Sequence, residues 1–441
     1  MSCNYAEGLS PYEHKGKLGL PEFFDDPNTV DEKIEKLAEW IRSSKHVVVH
    51  TGAGISTSAG IPDFRGPNGV WTLEEKGEKP KTNISFDIAA PTFTHMALSA
   101  LINSGHIKYI VSQNIDGLHM RSGLKRYSMS ELHGNMFVAQ CSYCDRQFIQ
   151  GSAVPTVGQK EMGLNCPWMK AGGRPCRGKL HDNILDWEHN LPDRDLEMAD
   201  MHSTLSDLSI SLGTTLQIVP AGNLPLRAKR NGGKVVIVNL QQTKHHKKAD
   251  LVIHLQVDKV LQKLTSILNV RVPPYTPDID PTRVLKRCVE MGLNPKILDW
   301  TIPVSSIKKV KALVAAKKGD NGADDKKRRN QRKRRRPEED DSSSDESEIP
   351  KPKFTVNDND VGIRTIQKGQ RLSNDIGYGV PLDLTTVVPK DEFKTEVVDE
   401  ELEREPCLPT TSTSAAMLYT VSPKRSPIGE NRESKQHVEL L

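Results

Sequence analysis

Apolar positions along the first 270 residues follow two alternating rhythms. Ile34, Leu37, Ala38 and Ile41 recur at the three-to-four-residue spacing that lays one helix face on a core. Thr29, with Glu32 three residues later, reads as a capping box opening that helix. A β-branched run, His46–His50, follows at once and enters Thr51-Gly52-Ala53-Gly54, the pattern of a buried parallel strand leading into a glycine turn. The alternation repeats. Phe93, Met96, Ala97, Ala100 and Leu101 mark a second amphipathic helix, closed near Gly105, and Lys108–Ser112 reads as a strand. Leu208–Leu212 precedes Gly213, Lys234–Val238 precedes Asn239, and Leu251–Leu255 precedes a helix around 258–268. Strands alternating with helices predict an α/β fold built on a doubly wound parallel sheet, in which ligands bind at the carboxyl ends of the strands. Residues 134–190 break the rhythm; rich in Gly, Cys, Pro and Trp, they read as an inserted small module with a return loop.

Composition divides the chain further. Lys+Arg number 61 and Asp+Glu 57, but the near-balance hides segregation. Lys326–Arg336 (KKRRNQRKRRR) is almost wholly cationic, and the acids that follow are interleaved with serines. Such blocks repel themselves and stay solvated. Beyond residue 300 the aromatic side chains are only Phe354, Tyr378, Phe393 and Tyr419, too few to offset the entropy of ordering. The expected organisation is an N-terminal extension (1–28), a nucleotide-binding domain (29–133 with 191–270), the inserted module (134–190), and a mostly disordered C-terminal extension (271–441). No apolar stretch approaches the length of a membrane span, and the first residues lack the apolar core of a secretory signal. An intracellular protein with no membrane partner is expected.

Two patterns carry chemistry. Gly52-Ala53-Gly54 lets backbone approach a pyrophosphate at a helix start, but the dehydrogenase fingerprint wants a third glycine where this chain has Thr57, which counts against hydride transfer. Cys141-x2-Cys144 and Cys166-x9-Cys176 can supply four thiolates to a tetrahedral zinc, and four protein ligands make a closed, structural site. Cys3, Cys288 and Cys407 fall outside that pattern.

In order along the chain stand Gly52-Ala53-Gly54-Ile55-Ser56, Gly60-Ile61-Pro62-Asp63-Phe64-Arg65, Gln113-Asn114-Ile115-Asp116, Leu132-His133-Gly134, the four cysteines, Gly213-Thr214-Thr215 and Val238-Asn239-Leu240. Over roughly residues 10–270 the chain resembles the sirtuins, NAD-dependent protein-lysine deacylases. The compact loop Arg65–Thr72, Asp186-Trp187-Glu188 in the substrate strand, and the basic tail are similar to the class IV nuclear branch.

The resemblance implies a Rossmann-like sheet with an inserted zinc-binding module, NAD as co-substrate and one structural zinc. In the family the acyl oxygen attacks C1′ of the NAD ribose as nicotinamide leaves, giving free lysine and an O-acyl-ADP-ribose. His133 matches the general base on a ribose hydroxyl, a task suited to a side chain whose ordinary pKa lies near operating pH. Asn114 and Asp116 match residues holding the ribose and the nicotinamide pocket, and Asp63 the clamp on the carboxamide. Ala53, Thr57, Phe64, Arg65, Trp71 and Gln113 match positions along the phosphates and the nicotinamide-side ribose. Gly213, Thr215, Asn239, Gln241 and Val257 match contacts on the adenosine side. Trp187 departs from the family's usual Phe-Gly step, and so bears on how the acyl-lysine is pinned, or serves as a core anchor. His95 and His119 are expected to be polar surface or structural residues.

Implied partners are acylated histone tails and other acyl-lysine proteins, with nucleosomes and DNA engaged through basic segments, in the nucleus and on chromatin; homodimers are compatible with this. Implied roles are histone deacetylation, removal of long-chain acyl groups, transcriptional silencing and DNA repair. Two alternatives remain: a protein mono-ADP-ribosyltransferase, and a non-catalytic chromatin-binding module, against which the intact His133, Asn114 and Asp116 argue. Lys326–Arg336 is basic enough for nuclear import or for phosphate contacts. Ser342–Ser344, Ser422 and Ser426 are candidate phosphorylation sites.

Overall fold

A computed structural model describes residues 8–317, except 81–83, 231 and 294–296. The basic run 326–336, the tail serines, Cys3 and Cys407 lie outside the described residues.

Helix α1 (Pro27–Ser43) opens at Asp26, not at Thr29. The Asp26 carboxylate accepts from the Thr29 amide at 3.1 Å, and Pro27 supplies a preset helical φ where no amide partner is needed, so the cap moves three residues toward the N-terminus. Strand β1 (Val47–Thr51) follows, then α2 (Val70–Glu75), α3 (Phe93–Asn103), β2 (Tyr109–Ser112), the short α4 (Leu118–Arg121) and β3 (Met129–Glu131). After an insertion the chain returns through α5 (Asp193–Leu205), β8 (Leu208–Leu212), α6 (Arg227–Arg230), β9 (Lys234–Val238), β10 (Leu251–Ile253), α7 (Val257–Ile267) and α8 (Pro281–Glu290).

These six strands form one parallel sheet in the order β10-β9-β8-β1-β2-β3. Alternate side chains of β1 serve opposite layers. Val47 and Val49 pack with Ile34, Leu37, Leu98 and Leu264 of α1, α3 and α7. Val48 faces the layer of Met198, Ala199 and Leu205 from α5. The chain builds outward from β1 through β2 to β3, then crosses to β8 on β1's other side. The topological switch point therefore lies between β1 and β8, at their carboxyl ends.

The insertion is a second, antiparallel sheet, ordered β5-β4-β7-β6, of β4 (Val138–Cys141), β5 (Gln147–Ile149), β6 (Glu161–Asn165) and β7 (Lys179–Asp182). Its apolar centre is small: Ala139, Phe148 and Leu180 with Cys141, Cys166 and Cys176.

Described structure continues well past residue 270. Asp280 caps α8 and pairs with the fully buried Arg121 at 2.9 Å. Trp300 and Ile302 are buried, and the helical stretch 304–317 buries Ile307 and Val310 against the α5 layer. Residues 271–317, which composition assigns to the extension, thus supply core side chains. Among the described residues no helix is long and apolar enough to cross a membrane.

Candidate active site and metal centre

The glycine turns after β1 and β8 meet at the switch point. Gly213 holds a left-handed φ of 58°, and the Gly54 amide donates to its carbonyl at 2.9 Å. A Cβ on Gly54 would stand 2.9 Å from Gly213 Cα, so the two turns pass only without side chains.

Above them opens a cavity of about 560 Å³. It brings together Ala53, Asp63, Phe64, Arg65, Trp71, Gln113, Asn114, Asp116, His133, Trp187, Gly213, Thr215, Asn239 and Gln241. An adjoining cavity of about 310 Å³ takes in Thr57 and Val257, and shares Asp63, Gly213, Asn239 and Gln241 with the first. Ligand pockets commonly fall between about 300 and 1,000 Å³, so the pair suits an extended dinucleotide with a second substrate beside it.

His133 stands two residues past the end of β3. Its Nδ1 lies 2.8 Å from the Gln113 carbonyl. A carbonyl can only accept, so Nδ1 carries the proton and Nε2 keeps the lone pair. Burial pulls the imidazole below the ordinary histidine value and the Arg65 charge adds to this, while the Gln113 carbonyl opposes it. The ring is a neutral base near pH 7. Gly134 next to it has φ 96°, and a Cβ there would overlap the Asn183 carbonyl, so the turn presenting His133 requires glycine.

Asp116 is buried and doubly satisfied. Its Oδ2 accepts from the Ser56 hydroxyl at 2.6 Å and its Oδ1 from the Leu118 amide at 2.9 Å. Asn114 Nδ2 donates to the Gly52 carbonyl at 3.2 Å and to Ser56 Oγ at 3.3 Å. Ser56, which the motif reading left without a role, therefore joins the glycine turn to both side chains. Asp63 accepts from the Gly66 amide at 2.8 Å. Burial raises its pKa, with that amide opposing. Gln113 Nε2 reaches Thr214 Oγ1 at 3.3 Å, tying the β2 turn to the β8 turn.

One wall is aromatic. The Trp71 ring lies 4.9 Å from Phe64 and 5.3 Å from Trp187, with the Arg65 guanidinium 4.6 Å over its centre. Trp187 is half-buried and lines the cavity, so it is not a core anchor. Tyr12 stacks on it at 4.8 Å, its indole N–H donates to the Ser10 carbonyl at 2.9 Å, and the neighbouring Asp186 accepts from the Ser10 hydroxyl at 2.7 Å. Farther along, Gln217 Oε1 accepts from the Lys17 amide at 2.8 Å, and Gln241 Nε2 donates to the Leu20 carbonyl at 2.6 Å. Residues 9–20 thus run along the mouth of the site, which the pattern of that segment does not signal. His95 and His119 are structural, not surface: both are buried, with rings 4.8 Å apart and the His119 Nε2 2.9 Å from Thr51 Oγ1.

The four cysteines converge beside the antiparallel sheet, with all sulfurs within 4.8 Å of one another. Cys141 and Cys176 sulfurs are 3.8 Å apart, as are those of Cys144 and Cys166. Tetrahedral Zn–S bonds of about 2.3 Å set sulfurs about 3.8 Å apart, so the donor set fits one zinc. Burial pushes the Cys141 thiol up, but the Cys144 and Tyr143 amides outweigh it, with neighbouring thiols adding, and hold it at about 7. Cys288, the other described cysteine, stands apart from this cluster.

The family model described as "Sir2 family" matches residues 78–220. The chain is 59% identical over 309 residues to "NAD-dependent protein deacetylase Sirt6" of Drosophila melanogaster, spanning 70% of this chain and 94% of that one. It is 46% identical over 308 residues to "NAD-dependent protein deacetylase SRT1" of Arabidopsis thaliana, spanning 70% of this chain and 64% of that one. Among solved structures, "Sir2-p53 peptide-NAD+" is similar at 31% identity over 54% of this chain and 99% of that chain, with a TM-score of 0.41.

Proposed function

The chain belongs to the Sir2 family, and from that premise we propose that it is an NAD-dependent protein-lysine deacylase with His133 as its general base. The observation that carries this reading is the His133 imidazole, pinned through Nδ1 to the Gln113 carbonyl, in one cavity with the glycine turn of the switch point. NAD, when bound, supplies a ribose carbon made electrophilic by departure of nicotinamide. The chain's own groups do the rest. Asp116 and Asn114, held by Ser56, orient the ribose and nicotinamide end. Asp63 faces the carboxamide. The acyl oxygen of the substrate bonds to that ribose carbon in nicotinamide's place. His133 Nε2 takes the proton of a ribose hydroxyl as that hydroxyl oxygen attacks the acyl carbon, and one water completes the release of free lysine and O-acyl-ADP-ribose. The substrate hydroxyl must come within about 3.2 Å of Nε2 for this transfer. The four cysteines hold one structural zinc, which fixes the antiparallel sheet and takes no part in the chemistry.

The aromatic wall of Phe64, Trp71 and Trp187, with Ile61, Phe86 and Ile184 in the same cavity, supports acyl chains longer than acetyl as substrates. Acylated histone tails, a nuclear and chromatin-associated setting, and roles in silencing and repair rest on the class IV resemblance and on the cationic run 326–336.

The test is mass spectrometry of the protein incubated with NAD and two histone-tail peptides, one acetylated and one carrying a long-chain acyl-lysine, alongside His133→Tyr. O-acyl-ADP-ribose that disappears in the variant is the expected result. ADP-ribose retained on protein, with no such product, makes the protein a transferase instead.

A further inference from the structure

Behind the turn that presents His133 lies a buried polar cluster with no part in the chemistry above. Glu131, two residues before His133, is 4% exposed; Asn135, two residues after it, is fully buried. The Asn135 side-chain amide donates to Glu131 Oε1 at 2.6 Å, so the two flanks of the turn are bonded together around the histidine. Asn135 Oδ1 accepts from the Phe137 amide at 2.8 Å, and the Asn135 amide donates to Asn183 Oδ1 at 3.0 Å. The other Glu131 oxygen, Oε2, accepts from the indole N–H of Trp300 at 2.8 Å.

Trp300 comes from 169 residues away, in the segment composition assigns to the tail. It is held in place firmly. Its amide donates to the Gln147 carbonyl at 2.7 Å and its carbonyl accepts from Arg126 Nε at 2.8 Å. Arg126 in turn forks onto Asp195, whose Oδ1 also accepts from the Glu131 amide, all at 2.8 Å. Every described polar atom of the Glu131 carboxylate and the Trp300 indole is thereby used, in a water-excluded pocket where a lost partner is costly.

We propose that Trp300 is a positioning residue for the deacylation reaction, setting the height and tilt of the His133 ring through its hydrogen bond to Glu131 and the Glu131–Asn135 clamp. This rests on the reading of His133 as the base. Two donors, the indole and the Asn135 side-chain amide, hold the two carboxylate oxygens, one each. Both bonds form only with the β3 end and the following turn in one relative placement, the one in which His133 Nδ1 meets the Gln113 carbonyl. None of the cluster lines the dinucleotide cavity except His133 itself, so binding and turnover should respond differently.

The test compares Trp300→Phe, Glu131→Gln, the double variant and His133→Ala in the full-length chain, with NAD and an acetyl-lysine peptide. Phenylalanine keeps the bulk and removes the donor; glutamine keeps the shape and leaves one donor facing another. In each single variant kcat is expected to fall on the order of tenfold, with both KM values unchanged within about twofold, because a base displaced by a fraction of an ångström slows the step without weakening binding. The double variant should be no slower than the worse single, as members of one unit are not additive. Full kcat in Trp300→Phe with an inactive His133→Ala overturns the positioning role alone. Full activity of His133→Ala overturns the reading beneath it. Loss of kcat and binding together, with loss of near-ultraviolet circular dichroism, reduces Trp300 to packing and also overturns the proposal. Should Trp300→Phe fail to fold, Glu131→Gln carries the same expectation, and full kcat there overturns it.

Discussion

At the scale of single residues, protonation state and side-chain placement decide what the site can do. His133 works as a base only when neutral. Its pKa is lowered, first by burial and then by Arg65, so the neutral form persists into mildly acidic solution. The sign follows: kcat should be flat around pH 7 and fall only as pH drops through a value below the ordinary histidine pKa of about 6.5. A kcat profile against pH checks this, and an acid limb centred above pH 7 would contradict it. In the proposed reaction Trp187 faces the substrate rather than the cofactor. Trp187→Ala removes one aromatic wall and the anchor for Ser10 and Tyr12, so the KM for a long-chain acyl peptide should rise about tenfold, corresponding to roughly 1–2 kcal/mol of lost apolar burial. The KM for NAD should stay within about twofold in the same steady-state assay. Local motifs made His133, Asn114, Asp116 and the glycine turns legible in the sequence. The Ser10–Trp187 contact was not, because its partners lie 177 residues apart and Ser10 sits in no pattern.

Individual elements were readable to different degrees for physical reasons. Strands β8 and β9 matched their apolar runs at both ends, since burial on both faces demands uninterrupted hydrophobicity. Strand β3, Met129-Ser130-Glu131, has no such run: its serine bonds to the Asp195 carbonyl and its glutamate to Trp300 and Asn135, so a polar strand is buried by tertiary partners. The four strands of the inserted sheet were equally hidden, because the side chains that organise them are sulfurs. That dependence carries a prediction. The cluster buries few large apolar residues besides Phe148 and Leu180, so zinc ligation supplies the cohesion that a core would otherwise give. Cys176→Ala should lower bound zinc from about one per chain toward zero, and lower the melting temperature by about 10 °C or more at ~2–4 °C per kcal/mol. Elemental analysis with a thermal melt reads both. A variant that loses zinc but melts unchanged would show that the sheet stands without the metal.

For the molecule as a whole, the boundary at residue 270 came from the right physical argument applied to too few residues. Aromatics do thin out along the chain, but Trp300, Ile302, Ile307 and Val310 are spent on covering the sheet. Ile302, Ile307 and Val310 complete the α5 layer and Trp300 closes the back of the His133 turn, while Asp280 in the same segment meets the buried Arg121 guanidinium, which also donates to the Phe86 carbonyl. A chain ending at residue 270 would leave Arg121 without Asp280 and Arg126 without the Trp300 carbonyl, though still paired to Asp195, and the uncompensated Arg121 charge alone costs about 3–5 kcal/mol. With the lost burial of Trp300, Ile302, Ile307 and Val310 added, the loss approaches the whole stability of an ordinary domain, about 5–15 kcal/mol. A chain ending at residue 317 keeps every one of these contacts and both cavities. The two truncations should therefore diverge. The 1–270 chain should be insoluble or lack a cooperative melt. The 1–317 chain should melt within about 3 °C of full length, a shift worth only ~1 kcal/mol, and turn over an acetyl-lysine peptide at the full-length kcat. Should the 1–270 chain fold and deacetylate at the full rate, residues 271–317 are dispensable to the body, and Trp300 can have no positioning role. Should the 1–317 chain lose peptide turnover, a contribution from beyond residue 317 must reach the site.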